Sequence, residues 1–505
     1  MPLVVPPCRL LANQEARIHV RSSRKRRKVL YRRVLAELAS RNLAPIVLDG
    51  NDPATMKVGV SARVLRDTPI DGCALKYEIA EFVNRVLKEE FPRVSPLEWD
   101  DYISHTSWTD EQKAEITLAH DALRDGTPSV RDRRKRKAFQ KVERYLEYKP
   151  PRCIMAPLNS VKAFMGPAIA AVERVVFALE PFIKHVPVPD RPAKIVGLKR
   201  AGLRYYSTDF TAFESHFTPE IYGLFECALY RHCLHDWKHV ETLCQIVSGW
   251  HVIKVNNIKA VVKGRRMSGD MCTSLGNGFT NYMLARFLME RQGCDFSGFV
   301  EGDDGIFATS AVLTKELYQQ CGFTIKIEEI DDPCRASFCG MICTESAQSI
   351  VNPVKWIIGM NWSHTMIYSG DQKQLALLKG KCMSAIYEAP SCPVTSVIAR
   401  SLLKRLTSLD AIYVDDQYHD RVPVEFRQRT FEQLPAFQPT MDTRALYELE
   451  FGVSISSQYL LEESVGKPEF MRIFERVVPV PFKQAVAMNH FAARFIERIV
   501  LNCSR

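Results

Sequence analysis

Apolar and polar positions alternate along this chain with two periods, and the switches between them mark its elements. From Cys73 to Lys88 apolar residues return at helical spacing. Gly166 to Val186 is apolar but interrupted by Glu173, Arg174, Glu180 and Lys184, so it predicts an amphipathic helix and not a membrane span. Leu203-Arg-Tyr-Tyr-Ser-Thr-Asp209 reads as an apolar strand that ends on a carboxylate. Ile221 to Trp250 reads as helix, and a further helix follows Ser268-Gly269. Gly298 to Phe307 sets Gly302-Asp303-Asp304 between two apolar runs, which predicts a tight β-hairpin with carboxylates at its tip. Leu313 to Gln320 is helical, Cys321 to Glu329 alternates as a strand does, and Phe338 to Cys343 predicts another short hairpin. Residues 45 to 75 read as short strands with turns, Asp49-Gly-Asn-Asp-Pro53 being the strongest turn signal. Beyond residue 370 the pattern is mostly helical, with loops such as Ala389-Pro-Ser-Cys-Pro393 and no catalytic constellation.

Composition narrows the class. A chain of 505 residues is long enough for several subdomains, and 46% hydrophobic with 25% charged residues is the balance of a soluble globular protein. The net charge of +10 favours polyanionic partners. The 15 cysteines include no CxxC pair and read as reduced intracellular thiols. No apolar run is long enough to span a bilayer, and Met-Pro-Leu-Val-Val-Pro-Pro lacks the features of a secretory signal.

Candidate chemistry gathers on a few stretches. Asp303 and Asp304 repel each other unless a cation lies between them. Mg²⁺ is the hard ion that binds through one or two carboxylates plus substrate phosphates; an acidic surface turn is the plain alternative. Asp209, at a strand end, suits metal binding or caps a following helix, and Glu214 falls in what predicts as that helix's first turn. Thr273 and Asn277, four apart on the helix after the Ser268-Gly269 turn, share one face. There hydroxyl and amide groups can hydrogen-bond a sugar, unless this is only a helix start rich in small polar residues. Tyr148-Lys-Pro-Pro-Arg152 is extended by its prolines and displays Lys149 and Arg152, as a triphosphate would require. A basic cluster precedes it: Arg131, Arg133, Arg134, Lys135, Arg136 and Lys137, running into Lys141 and Arg144. A second, Arg21-Ser-Ser-Arg-Lys-Arg-Arg-Lys28 with Arg32-Arg33, is a solvated surface, a nuclear address or an RNA contact. Lys326 is a solvent-facing strand lysine or a cation near departing phosphates. His232, His235, His239 and Cys244 have spacings that admit zinc, yet on helix they read as packing or surface residues. Taken in order, Asp209, Asp303 and Asp304 can hold two metal ions about 4 Å apart that align a hydroxyl and stabilise a leaving pyrophosphate. With Ser268, Thr273 and Asn277 as a sugar reader and Lys149 and Arg152 as a phosphate clamp, they compose a nucleotide-polymerising site.

With these motifs in this order the chain resembles the RNA-dependent RNA polymerases of positive-strand RNA viruses, and within them the tombusvirus-like or carmovirus-like group. The resemblance rests on Asp209-Phe-Thr-Ala-Phe-Glu214, on the Ser-Gly-x-x-x-Thr-x-x-x-Asn core from Ser268 to Asn277, on Gly302-Asp303-Asp304, on Lys326, on Phe338 to Cys343 as the hairpin beside the primer grip, and on Lys149-Pro-Pro-Arg152. It implies an α+β right hand: fingers with an N-terminal extension over 1–195, palm over 196–220 and 263–350 on an antiparallel sheet, a fingers insertion over 221–262, and a mostly helical thumb over 351–505. It implies RNA-templated addition of ribonucleotides with Mg²⁺ or Mn²⁺. Asp209 and Asp303 would ligate metal with Asp304 assisting, and Lys326 would act as general acid for pyrophosphate. Ser268, Thr273 and Asn277 would sense the ribose 2′-OH, while Lys149 and Arg152 bind the triphosphate. The partners implied are template RNA, nascent RNA and ribonucleoside triphosphates. The expected setting is the host cytoplasm, at membrane-associated replication sites reached through a membrane-anchoring replication protein. One departure stands out: at Glu214, which the resemblance implies binds the nucleotide through its sugar, the family usually has aspartate, and glutamate keeps the charge but adds a methylene.

Three other readings stay open at this point. A reverse transcriptase shares the palm and the paired aspartates, with Phe213 as a conceivable aromatic gate beside the sugar. A capsid-type RNA-binding protein would explain the basic clusters, but not the acidic positions. A metal-dependent nuclease would use the acids and leave the 2′-OH reader without a role.

Overall fold

The structure is a computed structural model, and it describes residues 16–20, 31–36, 45, 48–50, 52–67, 72–143, 145, 149–366, 368–413, 422–434, 438–469 and 477–481. Arg21 to Lys28 and Arg144 lie outside the described residues.

Its centre is a four-stranded antiparallel sheet, in the order Ile325–Ile330, Arg204–Phe210, Asp304–Thr309, Gly298–Glu301. The last two strands form the hairpin expected from Gly302-Asp303-Asp304. Glu301 pairs with Asp304, leaving Gly302 and Asp303 as the loop. Gly302 has φ +62° at the first loop position, the backbone that a two-residue hairpin needs and that glycine supplies without strain. Behind the sheet runs the helix Thr273–Glu290, apolar on nearly all sides and accordingly buried along most of its length.

A five-stranded sheet stands beside this centre: Ala16–Val20, Ile258–Lys263, Trp250–Val255, Lys135–Gln140, Cys153–Pro157. Its Lys135–Gln140 strand runs parallel to Trp250–Val255 and antiparallel to Cys153–Pro157. The expected strands over 45–75 are corrected here. Pro53–Arg63 is a helix, because Asp52 accepts the Thr55 amide at 3.0 Å as a cap and Pro53 opens the first turn. Met56, Val60 and Val64, four residues apart, then pack that helix on the five-stranded sheet.

Residues 221–262 divide between the two sheets. Helices Pro219–Leu224, Glu226–Cys233 and Val240–Ser248 join the main core under the four-stranded sheet, whereas the two strands from Trp250 to Lys263 join the other. A separate core holds the C-terminal helices together through Leu377, Ile386, Leu402, Leu403 and Tyr447, and takes in Leu35 and Ala36 from the N-terminal side. The strand Tyr31–Val34 reinforces that link by pairing with Trp362–Ser363 and Val478–Pro481. No helix among the described residues is long and apolar enough to cross a membrane.

Candidate active site

The sequence Asp209-Phe-Thr-Ala-Phe-Glu-Ser-His-Phe217 sorts its own side chains. Phe210, Phe213 and Phe217 all turn inward onto Phe323, with ring centroids 5.7, 5.7 and 6.5 Å away. That burial leaves Asp209 exposed at the strand end and Glu214 half-buried on the short turn Phe213–Ser215. Ala212 enters this turn at φ +52°, a left-handed backbone that costs a non-glycine residue roughly 1–2 kcal/mol. Phe213 is 2% exposed and committed to the core, so it is not free to act as an aromatic gate.

Register brings the acids together. Thr208 pairs with Gly305, so Asp209 and Asp304 are the next residues outward on neighbouring strands. On the other side Asp209 is the antiparallel partner of Lys326, which therefore stands on the same face of the sheet. Asp303, at the hairpin tip, reaches solvent within a crowded cleft. That crowding, with the negative charges of Asp209 and Glu214, raises its carboxyl above the ordinary range, while Arg152 opposes the rise. Mutual repulsion among oxygen donors is what a hard divalent cation relieves, and this donor set suits one. Among the described residues no three His, Cys, Asp or Glu side chains form a ready-made metal cluster. The candidate zinc ligands are dispersed: His232 bonds the Phe91 carbonyl at 2.8 Å, His235 pairs with Asp236, His239 packs on Trp237, and Cys244 is buried.

The cations differ from expectation. Lys149 is exposed. Arg152 is held charged by an ion pair with Glu143, which also accepts from the Tyr145 hydroxyl at 2.6 Å. Lys141, absent from the expected clamp, also lies within reach of Asp303's charge. Burial, then Arg152, lowers its pKa. Much of the preceding basic cluster is occupied in structure: Arg136 is buried against Asp270 at 2.7 Å, Lys135 pairs with Asp132, and Arg133 bonds the Pro128 carbonyl.

The polar loop lies against the strand Cys153–Pro157. The Ser268 carbonyl accepts the Met155 amide at 2.8 Å. Gly269, at φ +139°, would bring any Cβ to 2.9 Å from Ile154 and from the Met155 nitrogen, so glycine is required there. Thr273 spends its hydroxyl on this loop, donating to the Asp270 carbonyl at 2.7 Å and accepting the Gly269 amide. Asn277 has a buried side-chain oxygen with no partner among the described residues. A buried acceptor left unsatisfied is costly, and it is where a ligand hydroxyl would donate.

Sequence reasoning missed several supports. Asn281, buried one turn beyond Asn277, donates to the Gly302 and Asp304 carbonyls at 3.3 and 3.0 Å and so clamps the hairpin. Extending the Thr273–Asn277 spacing by four residues would have found it. Arg191 pairs with Glu301, which flanks the hairpin's turn, and the Cys339 thiol lies 3.2 Å from the same carboxylate. Cys339 belongs to the expected short hairpin, closed by the Phe338–Met341 bridge with Cys339 and Gly340 both at positive φ. Beside it a cavity of about 840 Å³ opens between Phe139, Lys141 and Arg152 on one side and Trp356 and His364 on the other.

Joining a nucleotide to a strand end asks for acids to hold metal, cations to take up polyphosphate charge, and polar groups to seat a sugar. Acidic, basic and small polar side chains gather around this antiparallel sheet, an arrangement of the kind found in nucleic-acid polymerases built on a palm. The family described as viral RNA dependent RNA polymerase matches residues 206–470, and the chain belongs to it. It is an RNA-directed RNA polymerase, a nucleotidyltransferase that copies a viral RNA genome. No curated protein matches the chain.

Proposed function

We propose that the chain extends RNA by two-metal nucleotidyl transfer, with Asp209 and Asp303 as the metal-holding acids and Asp304 assisting. The observation that carries this reading is the strand register, which sets Asp209 opposite Asp304, the residue next to Asp303 at the hairpin tip. Mg²⁺ or Mn²⁺, when bound, would neutralise charge on the attacking hydroxyl and the departing pyrophosphate. Lys326 holds a proton opposite Asp209 for the leaving group. Arg152 and Lys141 take up triphosphate charge, with Lys149 at the exposed approach. Asn277, assisted by Ser268, accepts from the ribose hydroxyl, and Thr273 shapes the loop that presents them. The +10 charge suits template and nascent RNA. We infer the tombusvirus-like or carmovirus-like group from the motif series. Fingers over 1–195 and 221–262, palm over 196–220 and 263–350, and thumb over 351–505 remain our division of the chain. Work at host-cytoplasm membranes would go through a membrane-anchoring replication protein.

The test is RNA synthesis by purified protein on a single-stranded RNA template with four ribonucleotides and either metal, beside Asp303→Ala. Template-length product from the wild type alone supports the assignment; equal product from both sinks the site.

A further inference from the structure

We propose that Arg63 is a positioning residue for sugar selection: its ion pair fixes the Glu214 carboxylate at the edge of the acidic centre, where that carboxylate meets the incoming ribose. The inference rests on the polymerase reading above. Arg63 donates to Glu214 at 3.1 Å, and the two side chains are 30% and 14% exposed, so this is not a fully solvated surface pair. The pair joins distant parts of the chain. Arg63 ends the helix that Met56, Val60 and Val64 pack on the five-stranded sheet, while Glu214 sits on the turn after the Asp209 strand.

The backbone of Glu214 is already fixed. Its carbonyl accepts the Arg266 amide at 3.1 Å, from the segment leading into the Ser268 loop, and the Ser215 amide closes the turn onto Ala212 at 2.8 Å. What remains free is the side chain, which has one more rotatable bond than aspartate. Arg63 selects among its rotamers. The choice matters because the Glu214 charge reaches Asp303. The helix bearing Arg63 also touches the segment before Arg152: a Cβ on Gly59 would lie 2.6 Å from the Pro151 carbonyl. Arg63 thus ties Glu214 to the same unit that carries the phosphate-binding arginine.

The test is single-nucleotide incorporation, with kcat and KM measured for a ribonucleotide and its 2′-deoxy counterpart. The proteins are wild type, Arg63→Ala, Arg63→Lys, Glu214→Ala and the Arg63→Ala/Glu214→Ala double variant. Arg63→Ala should lower the ribo-to-deoxy ratio of kcat/KM about tenfold, chiefly through a higher ribonucleotide KM, and Arg63→Lys should recover most of it. On the Glu214→Ala background, losing Arg63 should change the ratio less than about twofold. Equal losses for both sugars, or effects that multiply in the double variant, overturn the proposal and leave Arg63 a structural residue. Should Arg63→Ala fail to fold, as read from its unfolding midpoint, Arg63→Lys and Arg63→Gln decide by the same ratio. A wild type that incorporates no ribonucleotide with either metal overturns the polymerase reading itself, whereas normal incorporation with an unmoved ratio overturns only the role of Arg63.

Discussion

Lys326 stands on the same face of the sheet as Asp209, its partner across two antiparallel strands. If it delivers a proton to pyrophosphate, Lys326→Ala should lower kcat about 10²-fold with little change in KM. Lys326→Arg keeps the charge but scarcely releases a proton, so it should restore nucleotide binding and not rate; full recovery by arginine in pre-steady-state kinetics would reduce the lysine to a charge. His216 makes a separate prediction about stability. It is buried, stacks on Phe323, and its ring accepts the Thr324 amide at 2.9 Å, next to the Lys326 strand. Burial lowers its pKa from 6.5 to about 4. As pH falls below 6.5 the unfolded chain takes up a proton that the folded chain refuses. The contribution is therefore whole above that pH and is lost towards pH 4, by at most roughly 3 kcal/mol. His216→Gln should flatten the fall in melting temperature between about pH 7.5 and pH 5; an unchanged slope would assign the acid sensitivity to other groups.

At the scale of elements, the hairpin, the Ser268 loop and the helix Thr273–Glu290 hold one another in place. Asn281→Ala removes both bonds to the hairpin and leaves two partly buried carbonyls less satisfied, a loss of about 1–2 kcal/mol. Since the hairpin carries Asp303, kcat should suffer more than KM; a variant that melts earlier yet turns over normally would show that the clamp is only structural. The Arg136–Asp270 pair is buried at 0% and 4% exposure and joins the five-stranded sheet to the loop. Asp270→Ala strands a buried guanidinium and should cost about 3–5 kcal/mol, whereas replacing both partners by apolar residues should cost less. A double variant no better than the single in urea unfolding would contradict this. Which of these elements could be read from the sequence follows from how local their cause is. Gly302-Asp303-Asp304 was legible because a two-residue turn is encoded within itself, and Asp209 because alternation ends there. The helix Pro53–Arg63 was misread, since Asp52-Pro53 signals a turn and a helix start equally well. The roles of Arg136 and Arg63 were hidden because their partners, Asp270 and Glu214, lie more than a hundred residues away. In sequence a buried, paired arginine looks like any other member of a basic cluster.

At the scale of the molecule, the excess charge matters through where it remains open. Along Lys135–Gln140 the exposed positions are Lys137 and Phe139, with the half-buried Lys141 next on the same alternation, since Arg136, Ala138 and Gln140 turn inward. Phe139 and Lys141, with Arg152 and Ile154 from the adjoining segment, line the 840 Å³ cavity beside the Phe338–Met341 hairpin, and Lys137 continues the same strand face beyond it. A surface that alternates cation and aromatic suits a single strand, with phosphates on the lysines and a base against the ring. Binding of single-stranded RNA should then be governed by counterion release. If about five phosphates are neutralised, log K falls with log salt at a slope near −3.5, a loss of about 10²-fold between 50 and 200 mM. Lys137→Ala and Lys141→Ala should each reduce that slope by roughly 0.7, because each removes one phosphate contact. Phe139→Ala should weaken binding by about 1–3 kcal/mol at every salt concentration, since stacking releases no ions. Fluorescence anisotropy across a salt series separates the two signatures, slope for the lysines and offset for the phenylalanine. A slope indifferent to both lysines would move the RNA path off this face. The same titration with Asp303→Ala serves as the sign control, because losing a negative charge within reach of Lys141 and Arg152 should leave metal-free RNA binding no weaker than that of the wild type.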